Sequence, residues 1–290
     1  METITTLLNG LSIGSIYAMI ALGYTMVYGI AKMLNFAHGD IIMVGGYTIY
    51  LVMTLLGHPL IAIACAVVFC IILGVTIEKV AYKPLRGASP LAVLITAIGV
   101  SYLLQSLAQI IFGSAPKMVN IVDLGSINIS GLKVQVATLV TLVCSFIVMA
   151  ALTLFVKFTS MGRAMIATSE DKAATQLMGI NVNRVITVTF AIGSALAALA
   201  GLFYLLKAPS ISNTFGSMPG IKAFTAAVIG GIGSIPGAMV GGILLGVVEC
   251  ISYKIPLIAP YTDAIEFLIL IVILLVRPTG ILGKIRKEKV

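Results

Sequence analysis

Apolar residues run through this chain in long blocks, at about 7–31, 40–57, 60–78, 91–112, 134–156, 185–206, 223–253 and 263–276, separated by short polar intervals. A helix needs about 20 largely apolar residues to cross roughly 30 Å of hydrocarbon, so these blocks predict membrane-crossing helices. The block at 223–253 is interrupted: between Ala226 and Gly246 it holds Gly230, Gly231, Gly233 and Pro236, which together weaken any helix. Irregular backbone at membrane depth is tolerated where protein buries it or where it lines a wet cavity. The break therefore reads either as close helix packing or as a wall of a permeation path. Gly233, Gly237 and Gly241 recur at four-residue spacing, as do Gly242 and Gly246, and Gly193, Ala197 and Gly201. This is the small-residue pattern that lets helices approach closely.

The longest polar interval, KFTSMGRAMIATSEDKAATQLMGINVNR from Lys157 to Arg184, carries Lys157, Arg163, Lys172 and Arg184, an acidic pair at Glu170 and Asp171, and a helix-forming centre that stops at Gly179. It predicts a short helix in water between two spans, either a docking element for a soluble partner or a connector whose charges set topology. A second polar interruption places Asn35, His38, Gly39 and Asp40 between the first two blocks. An aspartate at the centre of a membrane helix costs roughly 2.5–3.5 kcal/mol, so Asp40 needs water or a partner. The favoured reading is a helix connection in which Asn35 or Asp40 caps the next helix and Gly39 supplies the turn. A polar gate near the cytoplasmic mouth is the other, and Asn35 and His38 stay open between the two. Glu78, beside Lys79 and near Arg86, is expected at a solvated span end. Glu249, near Lys254, and Asp263 and Glu266, which open the last block, are read as structural. Tyr47, Tyr50, Tyr82 and Tyr261 are expected at the bilayer interface.

Composition narrows the class. With 60% hydrophobic residues, 10% charged and a mean hydropathy of +1.14, an ordinary soluble domain is excluded. The net charge of +8 is placed as a topology signal, not as a nucleic-acid surface. With the N-terminus outside, Lys32, then Lys79, Lys83 and Arg86, then the four basic residues of the long loop, then Arg277, Lys284, Arg286, Lys287 and Lys289 fall inside. Lys117, Lys133, Lys207, Lys222 and Lys254 fall outside. This closes if residues 223–276 cross an odd number of times, so the glycine-rich piece before Pro236 counts as a short or half-crossing. The predicted fold is an all-α polytopic integral membrane protein, a single domain over residues 1–290. It has about eight full spans plus one short or broken one, with the C-terminus in the cytoplasm. The first residues lack the basic region and cleavage pattern of a signal peptide, so the N-terminus is expected to be retained. Cys65, Cys70, Cys144 and Cys250 lie in apolar runs without metal-ligand or CxxC spacing and are read as small buried residues.

No catalytic set emerges. The nearest approach to a phosphate-binding loop, GILGK at Gly280 to Lys284, has neither the spacing nor the hydroxyl that the motif needs. There is no Ser-His-Asp arrangement and no HExxH, and two histidines in all leave little scope for metal chemistry. The chain reads as a non-enzymatic membrane component without a metal.

Three motifs in order, LLNGLSIGSIYAMIALGYTMVYGIAKMLNFAHGDIIMVGGY near the N-terminus, GRAMIATSEDKAATQLMGINVNRV in the long loop, and FTAAVIGGIGSIPGAMVGGILLGVVE near the C-terminus, resemble the permease subunits of bacterial branched-chain amino acid ABC importers, specifically the shorter of the two paired permeases. The resemblance covers essentially the whole chain. It implies a multi-pass protein of the cytoplasmic membrane that moves leucine, isoleucine or valine. A second homologous permease, two ATP-binding subunits that hold ATP and Mg, and an extracytoplasmic amino-acid-binding protein would accompany it. It also implies that residues 157–184 form the coupling loop, on the pattern Arg163, Glu170, Asp171, Ala173, Ala174, Gly179 and Ile180. The alternatives are a related urea or short-amide importer permease and a self-sufficient small-solute channel. A passive pore needs no docking loop, and an ion-coupled transporter would place paired acids across repeats that are not evident here.

Overall fold

In the computed structural model, residues 2–122, 124–129 and 132–283 are described. Lys284, Arg286, Lys287, Lys289 and the side chain of Lys133, all used in the charge count, lie outside the described residues. The chain opens with α1 (Glu2–Ala31), α2 (His38–Leu56) and α3 (Pro59–Ile77), the last running on through a π turn at Glu78–Tyr82 and a 3-10 turn at Lys83–Leu85. Next come α4 (Pro90–Phe112), β1 (Lys117–Met118), the hairpin β2 (Ser126–Ile129) and β3 (Leu132–Gln135), and α5 (Val136–Phe158). Two short helices, α6 (Ser160–Glu170) and α7 (Lys172–Leu177), precede α8 (Val182–Lys207). The chain then forms β4 (Ser210–Ile211), α9 (Ser217–Gly230), α10 (Ile235–Lys254) and α11 (Thr262–Val276).

Among the described residues, eight helices are long and apolar enough to cross a membrane: α1, α2, α3 with its continuing turns, α4, α5, α8, α10 and α11 with the turn before it. With 14 residues, α9 is about 21 Å long, too short to cross. This is the eight-plus-one architecture that the apolar blocks predict.

Local signals set the ends. Gly57 at φ 64° stops α2 and Pro59 opens α3. Ser89 accepts from Ala92 N–H ahead of Pro90, and Ser234 accepts from Gly237 N–H ahead of Pro236. Each side-chain cap satisfies one of the amide groups that a helix start leaves free. The charged side chains at the end where α1 finishes include those of α6 and α7. At the opposite end β1 pairs antiparallel with β4, tying the segments after α4 and α8 together.

Helix α1 runs through the middle of the bundle, with Ile16 to Leu22 fully or almost fully buried on every face, as expected of a helix that is apolar all round. Its closest neighbour is α10, and glycines set the distance. A side chain at Gly242 would overlap the backbone of Ala18, and one at Gly246 the backbone of Gly14. Gly237 and Gly241 face Gly230 and Ala226 across the α9–α10 hairpin, and Gly201 of α8 faces the Ile42 carbonyl of α2. Apart from Gly233, where an added side chain would meet open space, the four-residue repeats are thus packing seams. In contrast, α4 and α11 leave long rows of Leu and Ile exposed.

Several expectations are corrected. Cys65 is exposed and Cys144 and Cys250 are half-buried; of the four cysteines only Cys70 is in the core. Tyr82 is fully buried and Tyr47 stacks on Phe112 with ring centres 4.1 Å apart, so neither is an interface anchor. In each case the helix face, which sequence spacing along an all-apolar block does not mark, decides the outcome.

Candidate functional site

The predicted single helix of the long loop is two helices. Asp171 breaks it, with extended backbone, and caps the second piece by accepting from Ala173 N–H at 2.8 Å and Ala174 N–H at 2.9 Å through one carboxylate oxygen. Gly179, at φ 81°, ends α7 with its N–H on Gln176 O and the Ile180 N–H on Thr175 O, the paired closing bonds that a left-handed glycine permits. Arg163 closes the other side, its guanidinium donating to Phe158 O and Ser160 Oγ at the end of α5. Glu170, Ala173 and Ala174 are exposed. The tip of α7 is apolar and open, with Leu177 89% and Met178 81% accessible.

Polar contacts join this loop to the bundle. Lys172 donates to Ala31 O at 2.8 Å, capping the carbonyl end of α1, where a cation is favoured. Burial and the nearby Arg86 charge hold the Lys172 ammonium below the usual lysine range. Arg86 pairs with Glu78 and Asn183, and Thr187 donates to the second Glu78 oxygen at 2.9 Å. Glu78 is therefore fully buried. The expected solvated terminus is corrected: the π turn carries the helix past Glu78 and folds Arg86 back over it.

The connection between α1 and α2 also departs from expectation. The residue before α2 is Ala37, with no side-chain cap, so neither Asn35 nor Asp40 caps it, and the positive-φ residue in this turn is Lys32, not Gly39. Asn35 accepts from the Tyr82 hydroxyl at 2.8 Å. His38 packs edge-on to Tyr24, 4.7 Å between ring centres, against Gly23. Gly39 and Gly216 meet backbone to backbone, and a side chain on either would overlap the other's carbonyl group. The starts of α2 and α9 therefore converge inside the bundle. There Gln105 of α4 donates from one amide nitrogen to Asp40 Oδ1 at 2.9 Å, and lies 3.3 Å from both Ser101 Oγ and Ser217 Oγ. Gln105 lies roughly 22 Å along α4 from its first residue, well within the span. Tyr24, Phe36, Asp40, Ser101, Gln105 and Ser217 are among the residues that border a cleft of about 450 Å³ between α2, α4 and α9.

Of the residues singled out from sequence, Gly39 and Asp40 meet at this cleft. Gly230, Gly231, Gly233 and Pro236 form the turn between α9 and α10, which lies against Gly29 and residues 279–283. Sequence reasoning missed Ser101, Gln105 and Ser217. The available signal was a serine and an amide four residues apart, on one face of an otherwise apolar block.

A second polar cluster centres on Lys222, whose ammonium lies 2.9 Å from Glu249, 2.8 Å from Asp263 and 3.3 Å from Glu266. Glu249 pairs with a lysine 27 residues earlier, because α9 and α10 run antiparallel.

Eight membrane-length helices, with a charged loop at one end and a cleft that holds the buried Asp40, define a multi-pass membrane protein. The chain belongs to the family described as branched-chain amino acid transport system permease component, which matches residues 6–274. It is 45% identical to the high-affinity branched-chain amino acid transport system permease protein BraD of Pseudomonas aeruginosa, over 98% of this chain and 97% of that protein. It is 44% identical to the LivH permease of Salmonella typhimurium and 43% identical to that of Escherichia coli K12, in each case over 97% of this chain and 96% of the relative.

Proposed function

We propose that this chain is one of two paired membrane subunits of an ATP-driven importer for leucine, isoleucine and valine. The observation that carries the reading is similarity along nearly the whole chain, at 43–45% identity, to permeases named for high-affinity transport of those amino acids. In this reading the N-terminus is outside and α6, α7 and the C-terminus are cytoplasmic, in keeping with the basic residues at that end. Two ATPase subunits bind ATP and Mg, a second homologous permease completes the membrane core, and an extracytoplasmic binding protein delivers the amino acid. The chain itself contributes no catalytic group.

The loop supports a coupling role. Capped at both ends by Asp171 and Gly179, α7 is a short rigid body that presents Leu177 and Met178 to a groove on an ATPase. Lys172 fastens it to the end of α1, while Glu78, Arg86 and Asn183 join the α3–α4 turn to α8. A push at α7 is thereby transmitted to α1, whose Tyr24 borders the cleft at Asp40.

The test is affinity purification of the tagged chain in mild detergent, with co-purifying proteins identified and ATP hydrolysis and leucine uptake assayed after reconstitution. Recovery of nucleotide-binding subunits and a second permease, with ATP-dependent uptake, is expected. A chain that purifies alone and moves solute without ATP overturns the reading in favour of a channel.

A further inference from the structure

We propose that Asp40 is the counter-ion for the substrate's α-ammonium group, and that the cleft between α2, α4 and α9 is a transient binding site for one small apolar amino acid on its way across. The assignment rests on the importer reading above. It starts from a comparison of buried acids. Glu78 has Arg86, and Glu249 and Glu266 have Lys222. Asp40 is equally buried, 2% exposed, yet among the described residues no lysine, arginine or histidine makes an ion pair with it. A charge withdrawn from water calls for a partner. Here the carboxylate borders a cleft, so a cationic ligand can supply it.

The surroundings keep Asp40 ready without cancelling its charge. It sits in the first turn of α2, where free amide groups and the helix dipole favour an anion, and the Gln105 amide fixes one of its oxygens. The rest of the cleft matches the other parts of an amino acid. Phe36, Ile98, Tyr102 and Ile221 form apolar wall for a branched side chain. Ser101 and Ser217 offer hydroxyls that can donate to a carboxylate. Urea and neutral amides carry no ammonium and would gain no ion pair from this carboxylate. Nothing in the wall distinguishes leucine from valine, which leaves the finer choice to the delivering protein.

The experiment uses the whole transporter in lipid nanodiscs and proteoliposomes, wild type against Asp40→Asn and Asp40→Glu. Asn preserves shape and can still bond Gln105, so a merely structural aspartate predicts unchanged uptake. The proposal predicts normal assembly for Asp40→Asn, with leucine uptake reduced about 10- to 100-fold, the effect of losing a hydrogen-bonded charge partner, and partial recovery in Asp40→Glu. Should Asp40→Asn fail to assemble, the wild-type complex decides alone. Tritiated leucine bound without the binding protein is to be displaced by leucinol, which keeps the ammonium, and not by 4-methylpentanoate, which lacks it. Unimpaired uptake by Asp40→Asn, displacement in the reverse order, or absence of leucine binding overturns the assignment. A wild-type complex that imports no branched-chain amino acid instead overturns the importer reading beneath it.

Discussion

Replacing Lys222 by Met tests whether the cluster at the α9–α10–α11 junction is held by the lysine at its centre. Met matches the length of the lysine stem, so packing is largely kept while the charge goes. At about 3 Å and an effective dielectric near 20, each ion pair is worth about 5 kcal/mol before desolvation is counted. Asp263 is about half exposed, at 49%, and contributes little after solvent screening. Glu249 and Glu266 are buried, with both oxygens of Glu266 and one of Glu249 lacking a hydrogen-bond partner among the described residues. Removing one member of a buried pair costs about 3–5 kcal/mol, so Lys222→Met is expected to lower the midpoint of thermal unfolding on the order of 10 °C. Glu266→Gln removes one of three carboxylates facing a single ammonium, so the lost ion pair is offset by relief of carboxylate repulsion, and it is expected to cost less than Lys222→Met. The double variant should recover part of the loss, because one fewer carboxylate is stranded. The assay is thermal unfolding of the detergent-solubilised chain, followed by size-exclusion chromatography. Equal stability of Lys222→Met and wild type, or equal damage from Glu266→Gln and Lys222→Met, would refute the reasoning.

Asp171→Ala removes both cap bonds of α7 and is expected to destabilise the loop by about 1 kcal/mol, read as faster amide exchange at Ala173 and Ala174 and weaker retention of ATPase subunits. Leu177→Asp combined with Met178→Asp changes exposed side chains, so chain stability should move by less than about 0.5 kcal/mol while ATPase co-purification falls steeply; unchanged co-purification sinks the docking role. Gly246→Leu drives a side chain into the Gly14 backbone and is expected to destabilise by more than the roughly 1–3 kcal/mol of ordinary overpacking, seen as aggregation in fluorescence-monitored chromatography, whereas Gly233→Ala, at an open position with φ 92°, should give a milder, strain-only loss of about 1 kcal/mol.

The eight long spans, the short ninth piece and the polar loop were legible in the sequence because each depends on local quantities: the length of an apolar run, a glycine that permits a left-handed end, a proline that opens a helix. Gly179 as a stop and the four-residue glycine seams follow from the same rules. The Asp171 break was harder to see, since acidic residues also fit a helix interior, and what decided it was a carboxylate reaching forward to two amide groups. The tertiary structure alone determined which polar side chains meet. Asp40, Gln105 and Ser217 are far apart in the chain, and Lys222 lies 27 residues from Glu249. In blocks that are apolar on every side, hydropathy does not mark which face turns inward, so the register and tilt of packed helices fixed these meetings. Glu78 makes the same point: its sequence neighbours are the charges of a wet span end, yet the turn that follows folds Arg86 and α8 over it and takes it out of water.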